Sequence, residues 1–213
     1  MVPGTFNNLR HARNIEAGGA AVTFGSGSSP VVPTITFGPA FRKRALLGVS
    51  WSAGTNRELN AVTADGQACA RLGRAINIAA GSNFEWWSVD ALAAATGLVA
   101  LTFSGSVDAG DVLPYWTDPL ASPVVNVGQF SDVASGTDLS TTLDTFSGGL
   151  LLAGMRAGSS QTIAWTGANA VTTGSAFQHV ARQRETIKET AKSVAATLGG
   201  AAASRRMCVL AIQ

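Results

Sequence analysis

Histidine is the residue type best suited to metal binding and general-base chemistry, and the 213-residue chain has two of them, His11 and His179. A metal site or a general base needs partner side chains that converge on one point. Neither histidine has a cysteine or an acidic residue at ligand spacing. We therefore predict no metal and no cofactor for this chain, and expect both histidines to have surface or capping roles.

Acidic residues offer the second route to catalysis, because paired carboxylates hydrolyse glycosidic bonds when two of them share a cleft. The candidates mostly lie at predicted turns, where aspartate bonds the backbone instead: Asp90, Asp108, Asp111 and Asp118. The chain also shows no nucleophile paired with a base and no phosphate-binding loop. The sequence thus favours a protein that is not an enzyme.

Aromatic residues form two adjacent pairs, Trp86 with Trp87 and Tyr115 with Trp116. Neighbours on a strand point to opposite faces, so we expect one tryptophan of the first pair to face the core and the other to face outward. An outward ring either stacks on a sugar or is buried against another subunit. We favour the subunit contact, because an isolated aromatic residue is weak evidence for a glycan site.

Basic residues cluster at Arg42, Lys43 and Arg44, directly before an apolar run. Three such residues can bind an acidic polymer such as a capsule or lipopolysaccharide, but a solvated edge that blocks stray sheet pairing is the commoner role. The formal net charge is only +2. Because no sustained basic face neutralises phosphates, nucleic acid is not expected as a partner.

Short apolar runs separated by Gly, Ser, Asn, Asp or Pro dominate the chain. This rhythm predicts an all-β protein, an antiparallel β-sandwich of jelly-roll or immunoglobulin-like type. The predicted strands lie within residues 20–24, 31–37, 45–51, 59–63, 68–79, 84–89, 98–103, 111–116, 124–130, 149–155 and 162–165. Pro30 and Pro33 favour an edge position for residues 31–37, since proline cannot donate to a ladder.

Residues 186–198 are compatible with either a short helix or a strand. Apolar residues fall there on a helical stripe, and Thr186 with Glu189 would form a capping box. The stripe consists of Ile187, Ala191, Val194, Ala195 and Leu198. Against a helix, several residues of the segment are β-branched and the surrounding segments are strands. The residues alone leave both alternatives open.

Domain organisation is predicted as an N-terminal arm over residues 1–19 followed by a single sandwich domain over residues 20–213. Cys69 and Cys208 lie in apolar segments and are expected as buried thiols rather than a disulfide framework. Residues 1–19 lack the apolar core of a secretion signal, and no run reaches about 18 apolar residues. We therefore expect a protein that is made in a cytoplasm, stays reduced there until it is assembled, and does not insert into a membrane.

Composition favours assembly. Charged residues make up 13% of the chain and apolar residues 46%, whereas soluble domains average roughly 25% charged residues. Repulsion between copies is weak, and a surface of Ala, Gly, Ser and Thr approaches others of its kind closely. We therefore expect a subunit of a homo-oligomer.

Five segments of small and apolar residues share one pattern: RALLGVSW (44–51), GQACARL (66–72), the strand at 83–89 with its tryptophans, GLVALTFSG (97–105) and GLLLAGMRAGSSQTIAWTG (149–167). In these segments the chain resembles β-sandwich virion proteins of tailed bacteriophages and prophages, over about residues 40–213. The resemblance implies two closing strands within residues 194–212. The charged run at residues 182–192 departs from the family pattern.

This resemblance implies a structural component of a phage or phage-like particle, located in the tail, a fibre, or a spike or decoration of the head. Such a protein is assembled in the host cytoplasm, contacts copies of itself in a trimer or higher ring, and contacts other virion proteins. The alternative is a receptor-binding module that recognises host-surface polysaccharide through Trp86 or Trp87 and the Tyr115–Trp116 pair.

Overall fold

The structure is a computed structural model that describes residues 15–41, 43–76, 81–118, 125–132, 134–173 and 178–213. Within these residues the regular structure consists of strands. Those of the first half are β1 (Glu16–Ala17), β2 (Val22–Phe24), β3 (Val31–Thr36), β4 (Lys43–Ala53), β5 (Leu59–Ala64), β6 (Gln67–Ala68), β7 (Ala70–Ala75), β8 (Gly81–Leu92), β9 (Thr96–Phe103) and β10 (Ala109–Thr117). Those of the second half are β11 (Val125–Asp132), β12 (Gly136–Leu143), β13 (Leu150–Arg156), β14 (Ile163–Thr166), β15 (Asn169–Thr173), β16 (Gln178–Arg184), β17 (Lys192–Ala202) and β18 (Arg205–Ile212).

The first half forms a sandwich of two antiparallel sheets. Its inner sheet has the order β1-β10-β4-β8-β7, with β2 also paired to β10, and its outer sheet has the order β3-β9-β5-β6. When β2–β6 and β8–β10 are numbered from one to eight along the chain, the sheets run 1-8-3-6 and 2-7-4-5. This is the strand order of a jelly roll. We call residues 15–118 the first roll.

The second half repeats this connectivity. Its inner sheet runs β11-β18-β13-β16-β15 and its outer sheet runs β12-β17-β14. Strands β11, β12, β13, β14, β16, β17 and β18 thus take positions one to four and six to eight of the same motif. Strand β15 extends the inner sheet beyond β16 as β7 extends it beyond β8. We call residues 125–213 the second roll.

The two rolls stack through their inner sheets, so that the described residues form four sheet layers. One apolar core fills the first roll and includes Trp51 and Phe103, and a second fills the other roll and includes Leu151 and Met155. A third core lies between the inner sheets and joins Phe84, Trp86, Leu113 and Tyr115 to residues of the second roll. Those partners are Leu150, Leu152, Val180, Cys208, Leu210 and Ile212.

Glycines let the inner sheets approach closely. A Cβ atom at Gly154 would lie 2.2 Å from Cζ of Phe84, and one at Gly48 would lie 2.8 Å from Cζ3 of Trp86. The two rings therefore occupy hollows left by a glycine on the central strand of each roll. The indole nitrogen of Trp86 also donates a hydrogen bond of 3.1 Å to the carbonyl of Cys208.

The all-β prediction is confirmed, and so is the edge position of residues 31–36, which form the first strand of the outer sheet of the first roll. The helix considered for residues 186–198 is wrong. Lys192–Ala202 is strand β17, held between β12 and β14. Ile187, the first residue of the supposed apolar stripe, is 63% exposed. Pairing on both sides outweighs the local helical pattern.

The domain boundaries stay a prediction. Residues 1–14 of the predicted arm lie outside the described residues, whereas Glu16 and Ala17 pair with β10. The strands predicted to form one sandwich form two rolls. The two rolls share an apolar core, so no solvated boundary separates them. Both cysteines are free thiols. Among the described residues no helix is long and apolar enough to cross a membrane.

Candidate functional site

The predicted outward tryptophan is wrong, because the exposed areas of Trp86 and Trp87 are 0% and 4%. Strand alternation does send them to opposite faces, Trp86 into the core between the rolls and Trp87 into the core of the first roll. The inner sheet is covered on both sides, so neither face meets solvent. Tyr115 is buried between the rolls as well. These three rings are therefore not exposed for contact with a glycan or with another subunit.

Trp116 remains half-buried, alone among the four aromatic candidates. Its ring meets that of Phe41 edge to face at a centroid distance of 5.4 Å. A Cβ atom on Gly38, whose φ is +112°, would lie 2.4 Å from Cδ1 of Trp116. Glycine is therefore needed at position 38, because the indole of Trp116, near the end of β10, packs directly against its backbone.

The predicted solvated basic edge is also wrong. Lys43 and Arg44 are buried because β4 is a central strand with β10 and β8 on either side. Lys43 Nζ donates to the carbonyls of Pro39 and Ala94 at 2.7 and 2.8 Å, and burial lowers the pKa of its amine. Arg44 is paired with the exposed Asp90. Arg42 lies outside the described residues.

The remaining acids and histidines do not form a metal site: within the described ranges no cluster of three or more His, Cys, Asp or Glu residues is present. His179 is buried on β16 rather than exposed or at a cap. His11 lies outside the described residues. Asp108 and Asp118 lie outside the strands, as predicted, but Asp111 is buried within β10.

Asp111 belongs to a buried ion pair between the rolls that sequence reasoning missed. Arg156 Nη1 lies 3.0 Å from Asp111 Oδ2 and donates 2.9 Å to Ser50 Oγ. Burial lowers the pKa of the Arg156 guanidinium, and Asp111 offsets part of that effect. Nearby, Gln178 Nε2 donates to the carbonyl of Gly48 at 3.3 Å. The signal in the sequence that could have indicated this ion pair was Arg156, a charged residue directly after the apolar run at residues 150–155.

A second buried polar group lies at the edge of the first roll and was also missed. Glu85 is fully buried, and its Oε2 accepts a hydrogen bond of 2.8 Å from Trp87 Nε1. Arg71 Nε lies 3.1 Å from the same oxygen. Burial raises the pKa of the Glu85 carboxyl to about 7, and the charges of Arg71 and Arg74 and the Trp87 hydrogen bond offset part of that rise. A single acid within the aromatic run at residues 84–87 was the signal, since buried glutamates are rare.

The strands of the first roll's outer sheet place no charged residue on the outward face, although the carboxylate of Asp65, in the turn between β5 and β6, lies against Gly97 of β9. Every residue of β3, β5, β6 and β9 that is not buried is apolar or uncharged polar. Val31 and Leu98 are the largest of them, with exposures of 54% and 42%. The others are Pro33, Thr34, Thr36, Asn60, Ala61, Thr63, Gln67, Ala68, Thr96, Gly97, Ala100 and Thr102. We call this surface face one.

The outer sheet of the second roll presents a similar surface, which we call face two. On β17 the buried Val194, Ala196 and Leu198 alternate with outward small residues. Face two is made of Asp138, Ser140 and Thr142 on β12, Ala164 and Thr166 on β14, and Ser193, Ala195, Thr197 and Ala201 on β17. Asp138 is its single charged residue, and the carboxylate accepts a hydrogen bond of 3.1 Å from Thr197 Oγ1.

Most charges near the outer strands lie at edges and loops, and Asp138 is the exception on face two. Lys192, at the start of β17, lies between Glu185 and Glu189 at 2.9 Å from each carboxylate. Burial tends to lower the pKa of the lysine, but the two glutamates outweigh burial and raise it. The geometry offers two surfaces with few charges on opposite sides of the stack.

Comparison with known protein families, with curated proteins and with solved structures finds no match for this chain.

Proposed function

We propose that the protein is a non-enzymatic structural component of a bacteriophage or phage-like particle that acts through association with copies of itself. The observation that carries this proposal is the pair of outward sheet faces built almost entirely from apolar and uncharged polar side chains. The assignment to a virion, in a tail, a fibre or a head spike or decoration, is supported by the resemblance of the central segments to phage sandwich proteins. Other virion proteins are the further partners.

Face one alone is too small for a stable dimer. A surface of four strands about 4.8 Å apart and about 20 Å long covers about 400 Å². A standard interface buries about 800 Å² on each partner. Each face alone therefore supports only a weak contact, and an assembly gains stability when each copy uses both faces and contacts two neighbours. Contacts of this kind close into a ring when the rotation between neighbours allows it.

Sedimentation velocity over a wide range of protein concentrations tests the proposal. We expect the wild-type chain to sediment as an oligomer and the variants Leu98→Lys on face one and Ala195→Lys on face two to sediment as smaller species. Thr55→Lys is the matched control, because Thr55 is exposed in a turn outside both faces. A wild-type chain that stays monomeric at high concentration would contradict the proposal.

The alternative function, binding of a host-surface glycan, is favoured by one observation only, the half-exposed Trp116 with Phe41 at its edge. Aromatic faces of this kind stack on sugar rings. If the alternative is right, Trp116→Ala abolishes binding to host cells while oligomers form normally. Loss of the oligomer instead would assign Trp116 to a subunit contact.

A further inference from the structure

Arg71 connects three parts of the first roll at its open edge. Its side chain starts on β7, the edge strand of the inner sheet, and its Nη2 donates to the carbonyl of Leu59 at the start of β5 in the outer sheet. Its Nε reaches Glu85 on β8, and its Cζ lies 4.8 Å from the centre of the Trp87 ring. The guanidinium thus covers Trp87 and joins the two sheets of the sandwich.

Glu85 provides the charge that holds this arrangement. Both of its donors, Trp87 Nε1 and Arg71 Nε, approach Oε2. The other carboxylate oxygen, Oε1, is buried and has no hydrogen-bond partner among the residues that the structure describes. A proton can therefore be placed on the carboxylate without displacing either hydrogen bond from Oε2, and it removes the cost of a buried charge.

We propose that Arg71, Glu85 and Trp87 form a proton-sensitive latch, in which protonation of Glu85 frees the Arg71 guanidinium and loosens β7 from the outer sheet. In the ionised state the ion pair, the Leu59 carbonyl and the Trp87 ring hold Arg71 together. In the protonated state the contact with Oε2 becomes a hydrogen bond to a neutral carboxyl instead of an ion pair, so Arg71 is held less strongly. Since Arg71 is already one-third exposed, its guanidinium reaches water with little rearrangement.

Loosening β7 also affects the contact between the rolls. A Cβ atom at Gly73 of β7 would lie 2.9 Å from Cγ1 of Val127 and 3.0 Å from Sγ of Cys208, both in the second roll. Strand β7 therefore contacts the latch on one side and the second roll on the other. A change in the latch alters the packing of β7 against the second roll.

The charged and titratable groups around Glu85 are few among the described residues. Arg71 and Arg74 act on it from β7, and Arg74 is itself paired with Glu58 beside β5 at 3.8 Å. Cys69 lies between β6 and β7, and burial raises the pKa of its thiol to about 12. Cys208 lies behind the inner sheet, and burial followed by the charge of Glu85 raises its pKa. Because the pKa of both thiols is raised, they stay neutral near pH 7, and a transition there is assigned to Glu85.

Nuclear magnetic resonance of the tryptophan indole N–H groups in the full chain tests the latch. Trp87 Nε1 donates its hydrogen bond to Glu85 Oε2, so we expect the resonance of this N–H to titrate near pH 7. The indoles of Trp86 and Trp51, which donate to the carbonyls of Cys208 and Arg57, are internal controls that should not follow this transition. A Trp87 resonance that is constant between pH 5 and pH 8 would overturn the proposal.

Variants separate the latch from a merely structural ion pair. Glu85→Gln should abolish the Trp87 transition, and Arg71→Met should move its midpoint to higher pH because an attracting cation is lost. Arg74→Met, which removes the exposed partner of Glu58, is the matched control and should move the midpoint less.

Hydrogen exchange of the β7 amides, corrected for the intrinsic effect of pH, measures the loosening. Protection should fall about tenfold between pH 8 and pH 6 in the wild type, the effect expected of one charge-assisted hydrogen bond. It should be low at both pH values in Arg71→Met. Protection of β7 that stays equal at both pH values in the wild type would show that Glu85 titrates without opening the latch.

Discussion

The two rolls share one connectivity but contribute differently to the contact between them. At matching positions beside the central glycines, the first roll places Trp86 opposite Gly48, and the second places Val180 opposite Gly154. At the next matching positions, Phe84 corresponds to Gln178. The large rings thus come from the first roll, while smaller or polar side chains come from the second.

This difference teaches that strand order and interface are specified by separate features of the sequence. Alternation of buried residues and turn signals is present in both halves and gives both the same roll. The complementarity between them depends on unequal residues at equal positions, such as Ser50 and Arg156, which bond each other across the contact. Four predictions break or sharpen this comparison, and they follow in order of decreasing effect on stability.

Removing the cation of the buried pair should have the largest effect. Arg156→Met leaves the Asp111 carboxylate between the rolls, so the free energy of unfolding should fall by about 3–5 kcal/mol in chemical denaturation. The double variant Arg156→Met with Asp111→Leu should recover most of the loss, because an apolar pair of similar size suits the site. The exposed pair is the control: Arg74→Met should change the free energy by less than about 1 kcal/mol. An Arg156→Met variant as stable as the wild type would show that the pair does not hold the rolls together.

The next largest effect concerns pH. Because burial raises the pKa of Glu85 from 4.5 to about 7, its contribution to stability is fully present below about pH 4.5 and is lost as pH rises through 7. Glu85→Gln lacks this dependence. Relative to that variant, the wild type should therefore lose about 3 kcal/mol of unfolding free energy between pH 4.5 and pH 8. Parallel stability curves for the two proteins would contradict the assignment of a raised pKa to Glu85.

Glycine substitutions between the rolls should follow. Gly154→Ala forces its Cβ to within 2.2 Å of the Phe84 ring, and overpacking of this kind costs about 1–3 kcal/mol. Gly48→Ala should cost less, since its nearest contact is 2.8 Å. Phe84→Leu should partly restore the Gly154→Ala variant. Thermal unfolding of the wild type, Gly154→Ala, Gly48→Ala and the double variant Gly154→Ala with Phe84→Leu measures this order. A Gly48→Ala variant that is less stable than Gly154→Ala would show that the tighter contact lies at Gly48.

Substitutions on the outward faces should have the smallest effect on the fold of one chain. Leu98→Lys and Ala195→Lys add exposed charges and should change the free energy of unfolding by less than about 0.5 kcal/mol when association is absent. Denaturation at low protein concentration checks this. A large loss of stability in either variant would mean that the residue supports the fold rather than an interface.

Much of the fold could be predicted from the sequence, because the central strands are short apolar runs between turn residues. Strands β12 and β16 were missed, since GTDLSTTL has only Leu139 and Leu143 as apolar residues and QHVARQR has only Val180 and Ala181. The helical interpretation of residues 186–198 counted Ile187 and Ala191 as part of one apolar face. Val194, Ala196 and Leu198, which alternate by two, were the correct signal.

The candidate sites could be predicted less well, because their exposure depends on how the layers stack. Opposite faces for Trp86 and Trp87 followed correctly from strand geometry, but a covered second face cannot be read from a local pattern. The basic residues Lys43 and Arg44 likewise indicated a solvated edge strand, because the sequence does not show that β4 lies in the centre of its sheet. Glu85 and Arg71 meet across a strand pair with a bulge between Arg71 and Gly73, which shifts the register and escapes any fixed spacing.

The central claim is that outward sheet faces with few charges hold copies of the chain together, and analytical ultracentrifugation of the double variant Leu98→Lys with Ala195→Lys tests it most directly. The account predicts a folded monomer for this variant at concentrations where the wild type and the Thr55→Lys control are oligomers. Oligomers of the same size in all three proteins would contradict it.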